Sequence, residues 1–111
     1  MDNFATASMQ ETIRSVQAVV ARPKQVEEAM EICSHARHGR LCVVDITGLH
    51  HEDAQRIADF LGGVCQGIGG TTERISSGIF LIVPPSHRLL RDSDNLAGYY
   101  DEILRRASSD R

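Results

Sequence analysis

The chain of 111 residues predicts an α/β fold, a two-layer sandwich with a βαβαββ core whose two helices cover one face of a mixed sheet, plus a C-terminal helix. Three observations carry this. Two β-branched runs, 15–21 and 41–46, flank a segment whose apolar residues recur at three- and four-residue steps. A second helical pattern then starts at His50 or His51. After it, TERIS and GIFLIVP stand on either side of Ser77-Gly78, the pattern of a hairpin.

Residues 1–14 are polar and small, with only Phe4, Met9 and Ile13 as large apolar groups, and read as a flexible tail that turns helical near its end. In SVQAVVA, Val16, Ala18 and Val20 alternate at a strand's period of two, and Arg22-Pro23 ends the run. Pro23 suits a helix start, and Val26, Ala29, Met30, Cys33 and Ala36 form a buried stripe over about Lys24 to His38, with Gly39 as the stop. LCVVDI is nearly all apolar, as a central strand requires, and Thr47-Gly48 breaks it. The second helix has Glu52 and Asp53 in its first turn and carries Ala54, Ile57, Ala58 and Leu61 on one face. Val64 and Ile68 extend that face through Gly62-Gly63, so the helix is expected to cross these glycines and stop near Gly67 to Gly70. Pro84-Pro85 ends the sheet region, and residues 95–107 form a terminal helix with Leu96, Tyr99, Tyr100, Ile103 and Leu104 on one side. Domain boundaries follow: tail 1–14, globular domain 15–90, helical extension 91–111. With both core helices on one face, the other face of the sheet needs a docked tail or a second subunit.

Charge excludes one class of partner. The formal net charge is −3, and residues 41–85 hold five acids against two bases, while both flanking regions balance. A nucleic-acid binder needs a basic stripe to displace counterions from phosphates, and Arg105-Arg106 sit among acids. Cys33, Cys42 and Cys65 are odd in number and include no C-x-x-C pair, which points to reduced thiols in a cytoplasm. The longest apolar run, Ile79 to Val83, is too short to cross a bilayer, and the start lacks a signal peptide's order.

QGIGG is not a dinucleotide loop, because those glycines lie between a strand and the helix after it, whereas these follow a helix and have no Lys beside them. His35 and His38 have ligand spacing, but Cys33 belongs to the core stripe and His35 lies on the far side of the helix, so no metal or other cofactor is expected. Asp45 ends a central strand, where α/β enzymes often keep an acid; no Ser, His or Lys can be paired with it, and it serves equally to bind loop amides. LCVVDITGL also resembles the opening of the STAS fold, a signalling interaction domain that regulates a partner protein. There a phosphorylatable serine is needed, and His50-His51-Glu52-Asp53 stands in its place.

From Val16 to Pro84 the chain resembles the SepF family of prokaryotic cell-division proteins. The residues that carry the resemblance are Val43-Val44-Asp45-Ile46, the run from Asp53 to Gly63, Ile68-Gly69-Gly70, Arg74-Ile75 and Ile79-Phe80-Leu81 before Pro84. It implies a non-enzymatic adaptor at the division site that forms homodimers or larger assemblies and binds the C-terminal tail of the tubulin-like protein FtsZ. It places Gly63, with Gly62 and Asp59 beside it, where helices of neighbouring subunits meet, a missing Cβ allowing close approach. It assigns the tail peptide to a groove near Arg74 and Phe80, with Gln55, Arg56 and Phe60 as further candidates. Phe80 is also a candidate for plain core, and Arg56 with Asp59 for a solvated ion pair. Membrane tethering in the family uses an N-terminal amphipathic helix, and residues 1–14 have too few large apolar groups to supply one.

Overall fold

The computed structural model describes residues 3–92 and 96–109. Helix α1 (Asn3–Ser15) leads to strand β1 (Ala18–Ala21), and a 3-10 turn (Val26–Glu28) opens α2 (Ala29–Arg37). Strand β2 (Leu41–Asp45), helix α3 (His51–Gly67), strands β3 (Thr71–Ser76) and β4 (Ile79–Val83) and helix α4 (Leu96–Ser109) follow. The sheet order is β1-β2-β4-β3, with β1 and β2 parallel and the other neighbours antiparallel. The expected fold class holds, including the mixed sheet.

Register sorts the side chains into rows across the sheet. Val19, Cys42, Ile82 and Thr72 align in one row, and Ala21, Val44, Phe80 and Arg74 in the next. Both rows face the helices, where Cys42, Val44 and Ile82 join Ile32, Cys33 and Ala36 of α2 and Ile57, Leu61 and Cys65 of α3 in one core. Each large apolar side chain buried there contributes about 1.5–3 kcal/mol. The opposite face carries Val20, Val43 and Leu81 in line with Glu73. Val20 remains 62% exposed, and Arg91 reaches back to Glu73 at 2.6 Å, tying the segment after β4 to this face.

Several boundaries and orientations differ from the sequence reading. Residues 3–15, read as a tail helical only toward its end, form α1, a segment without Gly or Pro to interrupt it. Its described side chains, from Ser8 on, are exposed. Strand β1 starts at Ala18 instead of Ser15, where its pairing with Leu41 begins. Met30, assigned to the buried stripe, is 65% exposed; the buried arc of α2 runs through Ala29, Ile32, Cys33 and Ala36, and Met30 lies outside it, about 100° round the helix from Ala29. In α3, Cys65 completes the buried four-residue steps from Ile57 and Leu61, while Val64 and Ile68 are half-buried at the flank. Helix α4 spans the predicted terminal helix; the side chains of Leu96, Tyr99 and Tyr100 lie outside those described.

Both core helices end by the same device. Gly39 and Gly69 have φ of 81° and 78°, a region open to glycine at no steric cost. After α3, Gly69 N donates to Gln66 O at 3.1 Å and Gly70 N to Cys65 O at 2.8 Å; after α2, Gly39 N donates to Ala36 O at 3.0 Å and Arg40 N to His35 O at 3.1 Å. These paired bonds satisfy carbonyls that a helix end would otherwise leave open. The final glycines of QGIGG are therefore a stop signal.

The remaining glycines differ in what they permit. A Cβ on Gly70 would lie 2.7 Å from Val83 O and 3.0 Å from Cys65 Sγ, whereas among the described residues nothing beyond the local helix backbone lies within 4 Å of one on Gly62 or Gly63. Glycine inside a helix costs about 1 kcal/mol relative to alanine. We therefore expect Gly70→Ala to destabilise the fold by about 1–3 kcal/mol through overpacking, and Gly63→Ala to stabilise the dilute protein by up to about 1 kcal/mol. Urea unfolding of the two variants checks the contrast; equal effects would mean that α3 does not approach the sheet as closely at Gly70 as described.

Candidate functional site

Helix α3 crosses the sheet without covering β3 completely, and a groove of about 400 Å³ remains along its flank. Its helical wall is the stripe His51, Ala54, Gln55, Ala58 and Gly62, set three or four residues apart. Its floor is Thr72 and Arg74 of β3 with Phe80 of β4, closed at one end by the Ser77-Gly78 turn. Arg74 and Phe80 are partners across the β3–β4 pair, so they share one face by the alternation of strands. Phe80 in turn pairs with fully buried Val44, which puts it at the border between core and groove. It is half-buried, packing on the core cluster while lining the groove.

Arg74 is exposed, and its Nε donates to Ser76 O at 3.3 Å, across the register shift at Ile75. Glu73 points to the other face and is neutralised by Arg91. Among the described residues no acid lines the groove, and Arg74 puts a positive charge on its floor.

Of the residues singled out from the sequence, Arg74, Phe80, Gln55 and Gly62 are brought together here, while Arg56, Phe60, Asp59 and Gly63 do not line the groove. Phe60 is 40% exposed on another side of α3, and Gly63 is exposed. Asp59 accepts a hydrogen bond from Gln55 Nε2 at 2.9 Å instead of forming the ion pair expected with Arg56. The sequence reading missed Ala54 and Ala58 as groove residues, assigning them to the core face beside Ile57 and Leu61. Their small size at the edge of the apolar arc was the available signal, since a covered edge position is normally larger.

Comparison with known proteins reaches the same elements. A model of the family "Cell division protein SepF" matches residues 18–89, from the start of β1 past the end of β4. The chain belongs to the SepF family. It is similar to the cell division protein SepF of Bacillus pumilus (strain SAFR-032), at 36% identity over 97 residues, covering 87% of this chain and 59% of the relative. It is also similar to that of Geobacillus kaustophilus (strain HTA426), at 38% over 77 residues, covering 69% and 54%. The chain thus spans somewhat under two thirds of the length of these SepF relatives. Among solved structures, a SepF-like protein from Archaeoglobus fulgidus superposes with a TM-score of 0.63 at 20% identity, covering 69% of this chain and 95% of that one. One from Pyrococcus furiosus gives 0.60 at 19%, covering 68% and 94%. These two likenesses speak to the fold. The match to the SepF family runs far beyond the nine residues Leu41 to Leu49 that resemble a STAS domain.

The other chemistry-bearing residues are engaged in holding this SepF fold. Asp45 Oδ1 accepts from Thr47 N at 3.0 Å and Thr47 Oγ1 at 2.6 Å, and Arg22 lies 3.5 Å from its second oxygen. The Thr47 bonds, with Arg22 adding to them, hold the carboxyl below the usual carboxylate range. Asp45 therefore closes the turn after β2, binding a loop amide as the alternative sequence reading had it. His38 Nδ1 donates to Ser34 O at 2.7 Å and His35 Nδ1 accepts from Arg40 Nη1 at 3.2 Å, so both imidazoles of the candidate ligand pair finish α2. Arg40 also reaches Ile13 O at 3.1 Å, which draws the end of α1 to the same point. Among the described residues no group of three or more His, Cys, Asp or Glu is placed to hold a metal, and no helix is long and apolar enough to cross a membrane.

The lowered carboxyl makes a signed prediction. A carboxyl more acidic in the folded than in the unfolded state contributes stability at pH above its unfolded value, and that contribution is lost as pH falls through the folded one. Between about pH 5 and pH 3 the melting temperature should fall less steeply for Asp45→Asn than for the parent protein. Parallel slopes in calorimetric melts across that window would remove the Thr47 contribution.

Proposed function

We propose that the chain is a non-enzymatic adaptor of cell division that self-associates and binds the C-terminal tail of FtsZ in the groove between α3 and β3, acting in the cytoplasm at the division site. The observation that carries this reading is the juxtaposition of Arg74 and Phe80 in an open groove without acids. FtsZ tails are short peptides of mixed acidic and apolar character. A half-buried ring supplies desolvated contact area and a guanidinium meets a carboxylate, the pairing that anchors most peptide interfaces. Asp45, the acid at a strand end considered for catalysis, is bound to Thr47 within its own turn.

Self-association is supported by α3 itself. Two consecutive glycines inside a helix sacrifice stability, and among the described residues nothing outside the local helix backbone comes within 4 Å of where their side chains would start. A second backbone packed against α3 at Gly63 accounts for that sacrifice, since glycine permits interaxial distances that side chains forbid. The back face of the sheet, with Val20 exposed, offers a second surface for a neighbouring copy.

Isothermal titration of an FtsZ tail peptide tests the groove. Phe80→Ala and Arg74→Glu should each weaken binding by about tenfold or more while the circular dichroism of the domain is retained; unchanged affinity would take both residues out of the site. Light scattering of Gly63→Lys tests the helix contact. The variant should keep its fold and lose the parent's assembly, and an unaltered particle mass would end that assignment.

A further inference from the structure

We propose that the occupant of the groove binds as an added β-strand along the free edge of β3, in extended conformation. This rests on the function proposed above and specifies the form that the peptide takes. Among the described residues, β3 is an edge strand that pairs only with β4, which leaves half of its backbone donors and acceptors without a ladder partner. It is six residues long, and all but Glu73 are exposed.

The groove follows that edge for its whole length. A second cavity of about 300 Å³ shares Gly62 and Thr72 with the first and continues it to Gln66 and Thr71. The combined channel therefore tracks β3 from Ser76 to Thr71 and α3 from His51 to Gln66. At about 3.3 Å per strand residue and about 1.5 Å per helical residue, the strand wall runs about 20 Å and the helical wall about 24 Å. A strand laid on β3 presents alternate side chains to this channel, where Ala58 and Gly62 leave room for them.

The two sheet edges are not equivalent for an acidic segment. Strand β1 is four residues long and the cavity along it is lined by Glu28 and Glu31 together with Arg22 and His35, whereas among the described residues the channel along β3 holds Arg74 and no acid. At β3 the register with β4 shifts between Arg74 and Ser76, and Arg74 stands exposed at that irregularity with its Nε tied to Ser76 O. A carboxylate on the peptide meets the guanidinium where the added ladder stops, while the preceding residues pair with Thr71 to Arg74. Main-chain bonds supply affinity and alternate side chains supply selectivity, as in other cases of strand addition.

The test uses a synthetic FtsZ tail peptide and a set of singly N-methylated versions, titrated against the whole protein. Strand addition requires a period of two: methylation at alternate peptide amides should weaken binding by about tenfold and methylation at the intervening amides should leave it unchanged. Hydrogen exchange of the complex should show new protection on alternate amides of β3. Binding of the parent peptide with uniform tolerance of methylation, or with losses at every third or fourth position, would overturn the added strand while leaving the groove as the site. Failure of the parent peptide to bind would overturn the proposed function and this mode with it.

Discussion

The register of β4 is the constraint on which the rest depends. This strand lies between β2 and β3, and its alternation decides which side chains meet the helices. With Ile82 opposite Cys42 and Phe80 opposite Val44, two of its residues complete the core, and the same step places Arg74 beside Phe80. A slip by one residue would turn Ile82 and Phe80 to the back face and bring Leu81 under α3, destroying core and groove together. Stability and the candidate site are thus set by one pairing. Ile46 N donating to Gly78 O at 2.8 Å, at the hairpin turn, anchors that pairing at the end where the groove closes.

The helical layer is built to cover only part of the sheet. Helices α2 and α3 pack against each other, α2 on β2 and α3 on β3, and the close approach of Cys65 to Gly70 draws the end of α3 down to the start of β3. From that fixed point the helix runs back along the strand, and small residues on its outer flank keep the floor open. The groove is a consequence of pinning one helix end tightly while leaving its side thin.

Much of this was legible in the sequence because it depends on local signals. The passage of α3 through Gly62-Gly63 followed from apolar spacing that did not break, and its stop followed from glycines placed where the left-handed region is required. The hairpin followed from Ser77-Gly78 between two β-branched runs. What was not legible depends on phase and distance. The buried arc of α2 runs through Ala29, Ile32, Cys33 and Ala36, so Met30 turns outward and Ile32 inward, and two apolar residues flanking the same stripe could not be told apart by spacing alone. Gln55 chose Asp59 over a free amide because the two lie one turn apart on the same side, whereas the charge pattern alone favoured Arg56. The pairing of Arg74 with Phe80 was available as a resemblance to a family, but their shared face became a physical fact only with the register.

Three sulfur atoms sit inside this small core, and their placement bears on how the protein meets oxidants. Cys33, Cys42 and Cys65 are all buried as free thiols, and burial pushes Cys42 up to about 11 and raises Cys65 as well. The thiolate is the reactive form, so in the folded chain these groups behave as small hydrocarbons. Peroxide chemistry then becomes a reporter of breathing: any sulfenic acid found on Cys42 would record a moment when the sandwich had opened.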